Sequence, residues 1–146
     1  MDRAFRLVTH AGGATASSLA CLALLLFPAT RALGLVATLA NLSSHLVVQA
    51  LKRSVTRPRP STLLPHVAAL AALPDEYSFP SGHACAAMAV AVAITLAAQV
   101  AGIPLLLLAL AVGASRVYLR VHYPTDVVVG QLLGTVAALG AHWSLA

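Results

Sequence analysis

An all-α integral-membrane bundle of about five transmembrane helices is the fold class this sequence predicts. Two observations lead there. Of 146 residues, 60% are hydrophobic and only 9% charged, against roughly 45–50% and about 25% in an average soluble domain. The apolar residues also fall in long runs free of Asp, Glu, Lys and Arg. A helix needs about 20 such residues to cross a hydrocarbon core of about 30 Å. The mean hydropathy of +0.88 agrees. Disordered, collagen-like and disulfide-stapled chains are excluded by the same composition.

The uncharged runs are Leu7 to Thr30, Ala32 to Leu51, Tyr77 to Ser115 and Val127 to Ala146. The third is long enough for two crossings, and Ala101-Gly102-Ile103-Pro104 at its centre supplies turn residues. The predicted helices are therefore 11–30, 32–52, 82–101, 104–119 and 124–144. Ser61 to Leu73 is apolar but too short to cross, and prolines punctuate its surroundings. It reads as a loop with a short interfacial or re-entrant helix. No repeat or linker divides the chain, so residues 1–146 form one membrane-embedded domain. Alanine and glycine richness suits close helix packing in a bilayer. Arg3 and Arg6 before an apolar stretch also resemble a secretory signal, but the uncharged run is long for one and the cleavage pattern is poor.

With these crossings, the N-terminus, the 53–81 loop and the 116–123 loop share one membrane face. Every basic residue except Arg31 lies there, as do all the acidic residues. The net charge of +5 is too small for a nucleic-acid-binding face and suits an anionic lipid or substrate instead. Cys21 and Cys85 sit inside apolar stretches and cannot make a zinc site by themselves.

Basic residues at helix ends often only anchor to headgroups, and Arg3, Arg6, Arg53 and Arg120 fit that role. Three clusters go further. In Lys52-Arg53-Ser54-Val55-Thr56-Arg57-Pro58-Arg59-Pro60 the prolines hold the arginines extended, and guanidinium groups grip phosphate oxygens in a fork. Pro80-Ser81-Gly82-His83 opens a helix, where unpaired N–H groups and the helix dipole favour an anion, although Ser81 also suits ordinary capping. In Ser115 to Asp126, Pro124 starts the last helix, His122 precedes it and Asp126 lies in its first turn. A carboxylate beside an imidazole can orient it as nucleophile or base; a plain structural hydrogen bond is the blander reading. His45, with Asn41, Ser44 and Gln49, reads as interhelical hydrogen-bonding glue that could also line a cavity. His10, His66 and His142 read as headgroup-facing, and Tyr77 and Trp143 as interfacial anchors.

Together the three clusters match the signature of the type 2 phosphatidic acid phosphatase superfamily: K-x6-R-P over Lys52 to Pro60, P-S-G-H over Pro80 to His83 and S-R-x5-H-x3-D over Ser115 to Asp126. The chain resembles that family from about residue 45 to 135. The resemblance implies a membrane phosphatase that uses no metal or other cofactor and hydrolyses a lipid phosphate or diphosphate. Polyprenyl phosphates or diphosphates, polyprenyl-linked sugar phosphates, phosphatidylglycerophosphate and phosphatidate are the candidate substrates, and the motifs do not choose among them. By resemblance, His122 is the nucleophile that forms a phosphohistidine, Asp126 orients it, and His83 is the general acid. Lys52, Arg59, Ser81, Gly82 and Arg116 resemble the groups that hold the phosphate oxygens. Opposite protonation of the two histidines implies a bell-shaped pH profile.

The expected partners are the bilayer and a membrane lipid, with no nucleic acid, and the expected location is a bacterial inner membrane. Many bacterial relatives have a sixth helix and, by the resemblance, commonly place the site outside the cytoplasm; the charge distribution of this chain points the other way. With Lys52, Arg59 and Arg116 set aside, Arg3, Arg6, Arg53, Arg57 and Arg120 stand against Arg31, which favours a cytoplasmic site. The rival reading is a non-hydrolytic carrier or channel for a phosphorylated anion, which would not need His122 and Asp126.

Overall fold

The computed structural model describes residues 2–63, 68–71, 73 and 75–145. Its helices are α1 (Asp2–His10), α2 (Ala14–Leu26), a 3₁₀ turn (Pro28–Thr30), α3 (Arg31–Val55), α4 (Pro60–Leu63), α5 (Gly82–Ala97), α6 (Gln99–Tyr118) and α7 (Pro124–Leu145). Among the described residues the only extended pairing is an isolated bridge between Pro58 and Tyr77. Each apolar segment expected to be helical forms a helix. Pro28–Val55 and Pro124–Leu145 are each long and apolar enough to cross a membrane. Arg3–His10 with Ala14–Leu26, bent by 46°, make a third candidate span, while Gly82–Ala97 and Gly102–Tyr118 are apolar but shorter.

The distribution of side-chain size explains the packing. On α3 the inward stripe is Gly34, Ala37, Ala40, Ser44, Val48 and Lys52, whereas Leu35, Leu39, Leu42 and Leu46 point outward. A soluble helix buries its large apolar residues; here small residues are inside and leucines outside, as expected where the surroundings are lipid. The chain is an integral membrane protein.

The central helix is α5, in contact with α2, α3, α6 and α7. Its buried face is Ala84, Cys85, Met88, Ala89, Ala91 and Ala93. Against it α7 lays Gly130, Gly134, Ala138 and Ala141, one small residue per turn. A Cβ at Gly130 would sit 2.5 Å from the Ser81 carbonyl oxygen, and one at Gly134 would collide with the Cys85 carbonyl oxygen. The two backbones therefore pack directly on each other, and this fixes the first turn of α5 against the start of α7. The Ser81 N–H donates to the Asp126 carbonyl at 2.9 Å across that junction.

Two boundaries differ from the sequence-based expectation. The turn between α5 and α6 is at Ala98, not at 101–104. Gly102 instead allows close approach, since a Cβ there would run into Thr95. Pro104 sits within α6, near its start. The first long helix is Ala14–Leu26, and a separate helix, α1, precedes it. Phe5 of α1 stacks on Tyr118 with ring centroids 4.1 Å apart, which docks α1 on the end of α6. Between α3 and α5 the described helix is the single turn of α4; residues 64–67, 72 and 74, and with them His66, lie outside the described residues.

If backbone contact between α5 and α7 holds the bundle, Gly134→Val should lower the detergent-solubilised melting midpoint, at a cost of about 1–3 kcal/mol from overpacking. A Cβ added at Gly140 would meet nothing within 4 Å, so Gly140→Ala should be neutral or stabilising by at most about 1 kcal/mol. Equal effects of both substitutions in a thermal-shift measurement would refute this account.

Candidate active site

The C-terminal ends of α3 and α6 and the N-terminal ends of α5 and α7 converge at one end of the bundle, with α1 beside them. There a cleft of about 240 Å³ is lined by Lys52, Asp75, Gly82, His83 and His122, and it continues between α2 and α3. Arg59, Arg116 and Asp126 are buried around it. The three sequence clusters thus meet in space.

The chain reverses after α3 because Thr56 adopts a left-handed conformation, φ 45°, and its N–H donates to the Lys52 carbonyl. Such a conformation is strained for a β-branched residue and persists only where surrounding contacts hold it. The extended Arg57-Pro58-Arg59 segment follows. Residues two apart on an extended strand share a face, and both arginines reach the 121–126 segment. Arg57 Nη1 donates to Asp126 Oδ1 at 2.9 Å and to Thr125 Oγ1 at 2.9 Å, and its guanidinium lies 4.0 Å above the Tyr123 ring. Arg59 Nη1 donates to the Val121 carbonyl at 2.7 Å and lies 3.3 Å from His122 Nε2.

Asp75 gathers the cations. Lys52 Nζ donates to both of its oxygens, at 2.8 and 2.7 Å, and Arg59 Nη2 donates to Oδ1 at 2.7 Å. Burial pushes the Asp75 carboxyl upward, but its bonds to Lys52 and Arg59 outweigh this and hold it below the ordinary carboxylate range. Arg116 has no carboxylate within bonding distance among the described residues. Its Nη1 donates to Thr9 Oγ1 of α1 at 2.9 Å, while Nε and Nη2 are buried without a partner. Unpaired buried guanidinium donors are costly and suit an anion.

His122 is 3% exposed. Its Nδ1 is 2.6 Å from the Ser78 carbonyl oxygen and 3.7 Å from Asp126 Oδ2. A carbonyl only accepts, so Nδ1 carries the proton and Nε2 keeps its lone pair. Burial lowers the His122 pKa to about 4; the Asp126 carboxylate opposes the shift, and Arg59, Arg116 and Lys52 add to it. The family resemblance assigns Asp126 the orienting role; the shorter contact is to Ser78. Asp126 also accepts from the Tyr123 N–H at 2.8 Å and from Arg57, and so fixes the loop that carries the imidazole.

Ser81 is fully buried, and its hydroxyl accepts from the Ala84 N–H at 3.5 Å, which is the capping arrangement. Gly82 and His83 follow at the first turn of α5, whose N–H groups have no intrahelical acceptor, and both line the cleft. Asp75, Ser78 and Thr9 were not singled out in the sequence. Asp75 left one signal, as one of only four acidic residues in a chain whose motif cations need a counter-charge. Ser78 acts through its backbone, which no side-chain pattern reveals.

Residues 29–146 match the family model described as PAP2 superfamily. A decaprenylphosphoryl-5-phosphoribose phosphatase of Mycobacterium tuberculosis is 38% identical over 123 residues, covering 83% of this chain and 67% of that protein. An undecaprenyl-diphosphatase of Sulfolobus acidocaldarius is 33% identical over 116 residues, covering 77% of this chain and 55% of that protein. Among solved structures, Aquifex aeolicus LpxE superposes with a TM-score of 0.87 at 28% identity, over 97% of this chain and 85% of its own. The PAP2-type phosphatidylglycerolphosphate phosphatase of Bacillus subtilis does so with a TM-score of 0.79 at 26% identity, over 98% of this chain and 75% of its own. Sequence motifs, helix arrangement and the family match over most of its length agree, and the chain belongs to the PAP2 superfamily.

Proposed function

We propose that the chain hydrolyses a lipid phosphate or diphosphate through a phosphohistidine on His122. The observation that carries this reading is the state of the imidazole: Nδ1–H is committed to the Ser78 carbonyl, which leaves the Nε2 lone pair beside Lys52, Arg59 and the unpaired donors of Arg116. The decaprenylphosphoryl-5-phosphoribose phosphatase and the undecaprenyl-diphosphatase named above support the same substrate class.

In the first step the headgroup phosphate takes the place beside Lys52, Arg59, Arg116 and the N–H groups of Gly82 and His83. Nε2 of His122 attacks phosphorus in line as the bond to the leaving oxygen breaks. His83, protonated once the bound phosphate offsets the neighbouring cations, gives its proton to that oxygen. In the second step neutral His83 takes a proton from water, whose oxygen displaces His122 from phosphorus, so inorganic phosphate leaves and both histidines are restored. Ser81 acts by capping α5 and Asp126 by holding the loop of His122. The cations offset the charge that spreads over the phosphoryl oxygens in the transition state.

The membrane is proposed to be a bacterial inner membrane with the site facing the cytoplasm, on the charge asymmetry across the helix ends. Cys21 and Cys85 are buried, so Ser54→Cys, at an exposed position of the same end, should be modified in intact spheroplasts only by a membrane-permeant thiol reagent. Modification by an impermeant reagent would place the site outside.

Phosphate release by the detergent-purified protein should persist in EDTA, and His122→Ala should reduce it by on the order of 10³-fold or more. Full activity in that variant would overturn the phosphohistidine on His122, and no phosphate release from any lipid by the wild-type protein would favour the carrier reading. The acid limb of kcat/KM should report His122 near its lowered value of about 4, not the ordinary 6.5 of imidazole. Between those two values the unfolded chain binds the extra proton and the folded one does not. The contribution of neutral His122 to stability is therefore complete above pH 6.5 and lost as pH falls toward about 4. A pH series of melting midpoints in which His122→Ala is less acid-sensitive than the parent would confirm this.

A further inference from the structure

The cleft does not stop at the cations. It continues along α3, where Asn41, His45 and Gln49 line it at four-residue intervals, with Ser18 contributed by α2. Four-residue spacing keeps these side chains on one face of α3, and from Gln49 to Asn41 the stripe runs about 12 Å along the axis. Ala14, Ser18, Leu42 and His45 are both cleft-lining and exposed, so the cleft opens sideways between α2 and α3.

These polar groups do not tie helices together, contrary to the expectation from sequence. Among the described residues neither the Asn41 amide nor the Ser18 hydroxyl has a hydrogen-bond partner, and the His45 ring meets only Gln49, at 3.5 Å on its own helix. Neighbouring hydroxyls behave differently. Ser17, Thr38, Ser43 and Ser44 each donate to a backbone carbonyl of their own helix. The Asn41–Gln49 stripe therefore presents unused donors and acceptors to the cleft at a depth where lipid chains offer none.

A polyprenyl or acyl chain laid against this wall would leave the amides unpaired, at a cost for each. A unit bearing hydroxyls would satisfy them. We propose that the preferred substrate is a lipid in which a hydroxylated unit, sugar or glycerol, lies between the scissile phosphate and the anchoring chain, and that Asn41, His45 and Gln49 bind its hydroxyls. The inference rests on the hydrolase reading above and narrows its substrate class. The apolar part of the wall, Leu42, Val48 and Ala86, receives the carbon skeleton.

The test uses two matched pairs of lipids: a polyprenyl monophosphate against a polyprenyl-phosphate-linked phosphosugar, and phosphatidate against phosphatidylglycerophosphate. Wild-type protein should cleave at least one hydroxylated member with kcat/KM about tenfold or more above its partner, the scale of one or two neutral hydrogen bonds. The pair that shows the preference distinguishes sugar from glycerol. In Asn41→Leu/Gln49→Leu that ratio should collapse to within about threefold, mainly through KM of the hydroxylated lipid. Asn41→Ala alone should lower the ratio in the same direction if the double variant does not fold. Equal cleavage within both pairs by wild type, or a ratio that survives the substitutions, would overturn the inference and leave the hydrolase reading standing. Cleavage of none of the four lipids would overturn the inference, and failure to cleave a polyprenyl diphosphate as well would overturn both.

Discussion

The structure is organised around cations that have been taken out of water. Lys52 and Arg59 from one segment and Arg116 from another are all buried at one end of the bundle. Desolvating a charge is tolerable only with a partner. Asp75 serves two of them, in contact with both Lys52 and Arg59. Arg116 has the neutral Thr9 hydroxyl and two unsatisfied nitrogens. The site thus carries more positive charge than the protein neutralises, which is the surplus that the proposed phosphate would offset. Helix ends, the reversed segment after Thr56 and the docking of α1 on α6 all bring these groups together.

The same field prepares the imidazole. Positive neighbours and burial disfavour protonation of His122, while the Ser78 carbonyl fixes its proton on Nδ1. A neutral imidazole with its Nε2 lone pair unprotonated is what a nucleophile requires; here that lone pair accepts only the 3.3 Å contact from Arg59 Nη1, which an incoming phosphate would take over. Asp126 acts at one remove: it closes an ion pair with Arg57 and accepts from the Tyr123 backbone, so the loop bearing His122 is held from both sides. Arg57, in turn, links the segment after α3 to the segment before α7.

The motif residues were legible because their spacing is local: Lys52 to Arg59, Ser81 to His83 and Arg116 to Asp126 each lie within a dozen positions. The helices were legible from uncharged runs. What escaped was non-local or carried by the backbone. Asp75 reaches Lys52 across 23 positions of chain that have no periodicity, and Thr9 reaches Arg116 across 107. Ser78 contributes a carbonyl that any residue could supply. Gly102 and Pro104 suggested a turn, but the glycine answers to Thr95 on the neighbouring helix and the proline is tolerated near the start of α6. Asn41 and Gln49 looked like glue because composition does not tell which face of a helix meets a neighbour and which meets a cleft.

The splayed arrangement of α2 and α3 has a kinetic corollary. The two helices touch closely at their connected end, where a Cβ at Gly34 would lie 2.7 Å from the Leu25 nitrogen, and part toward the other end, where the cleft opens. A lipid entering there, as the proposed substrate site requires, would diffuse in two dimensions, so the concentration that governs turnover would be its mole fraction in the leaflet and not its amount per volume. Inert lipid added at constant total substrate therefore acts as a diluent. The dephosphorylated product, still anchored in the same leaflet, remains at the mouth of the cleft and competes for it until it is carried off or consumed.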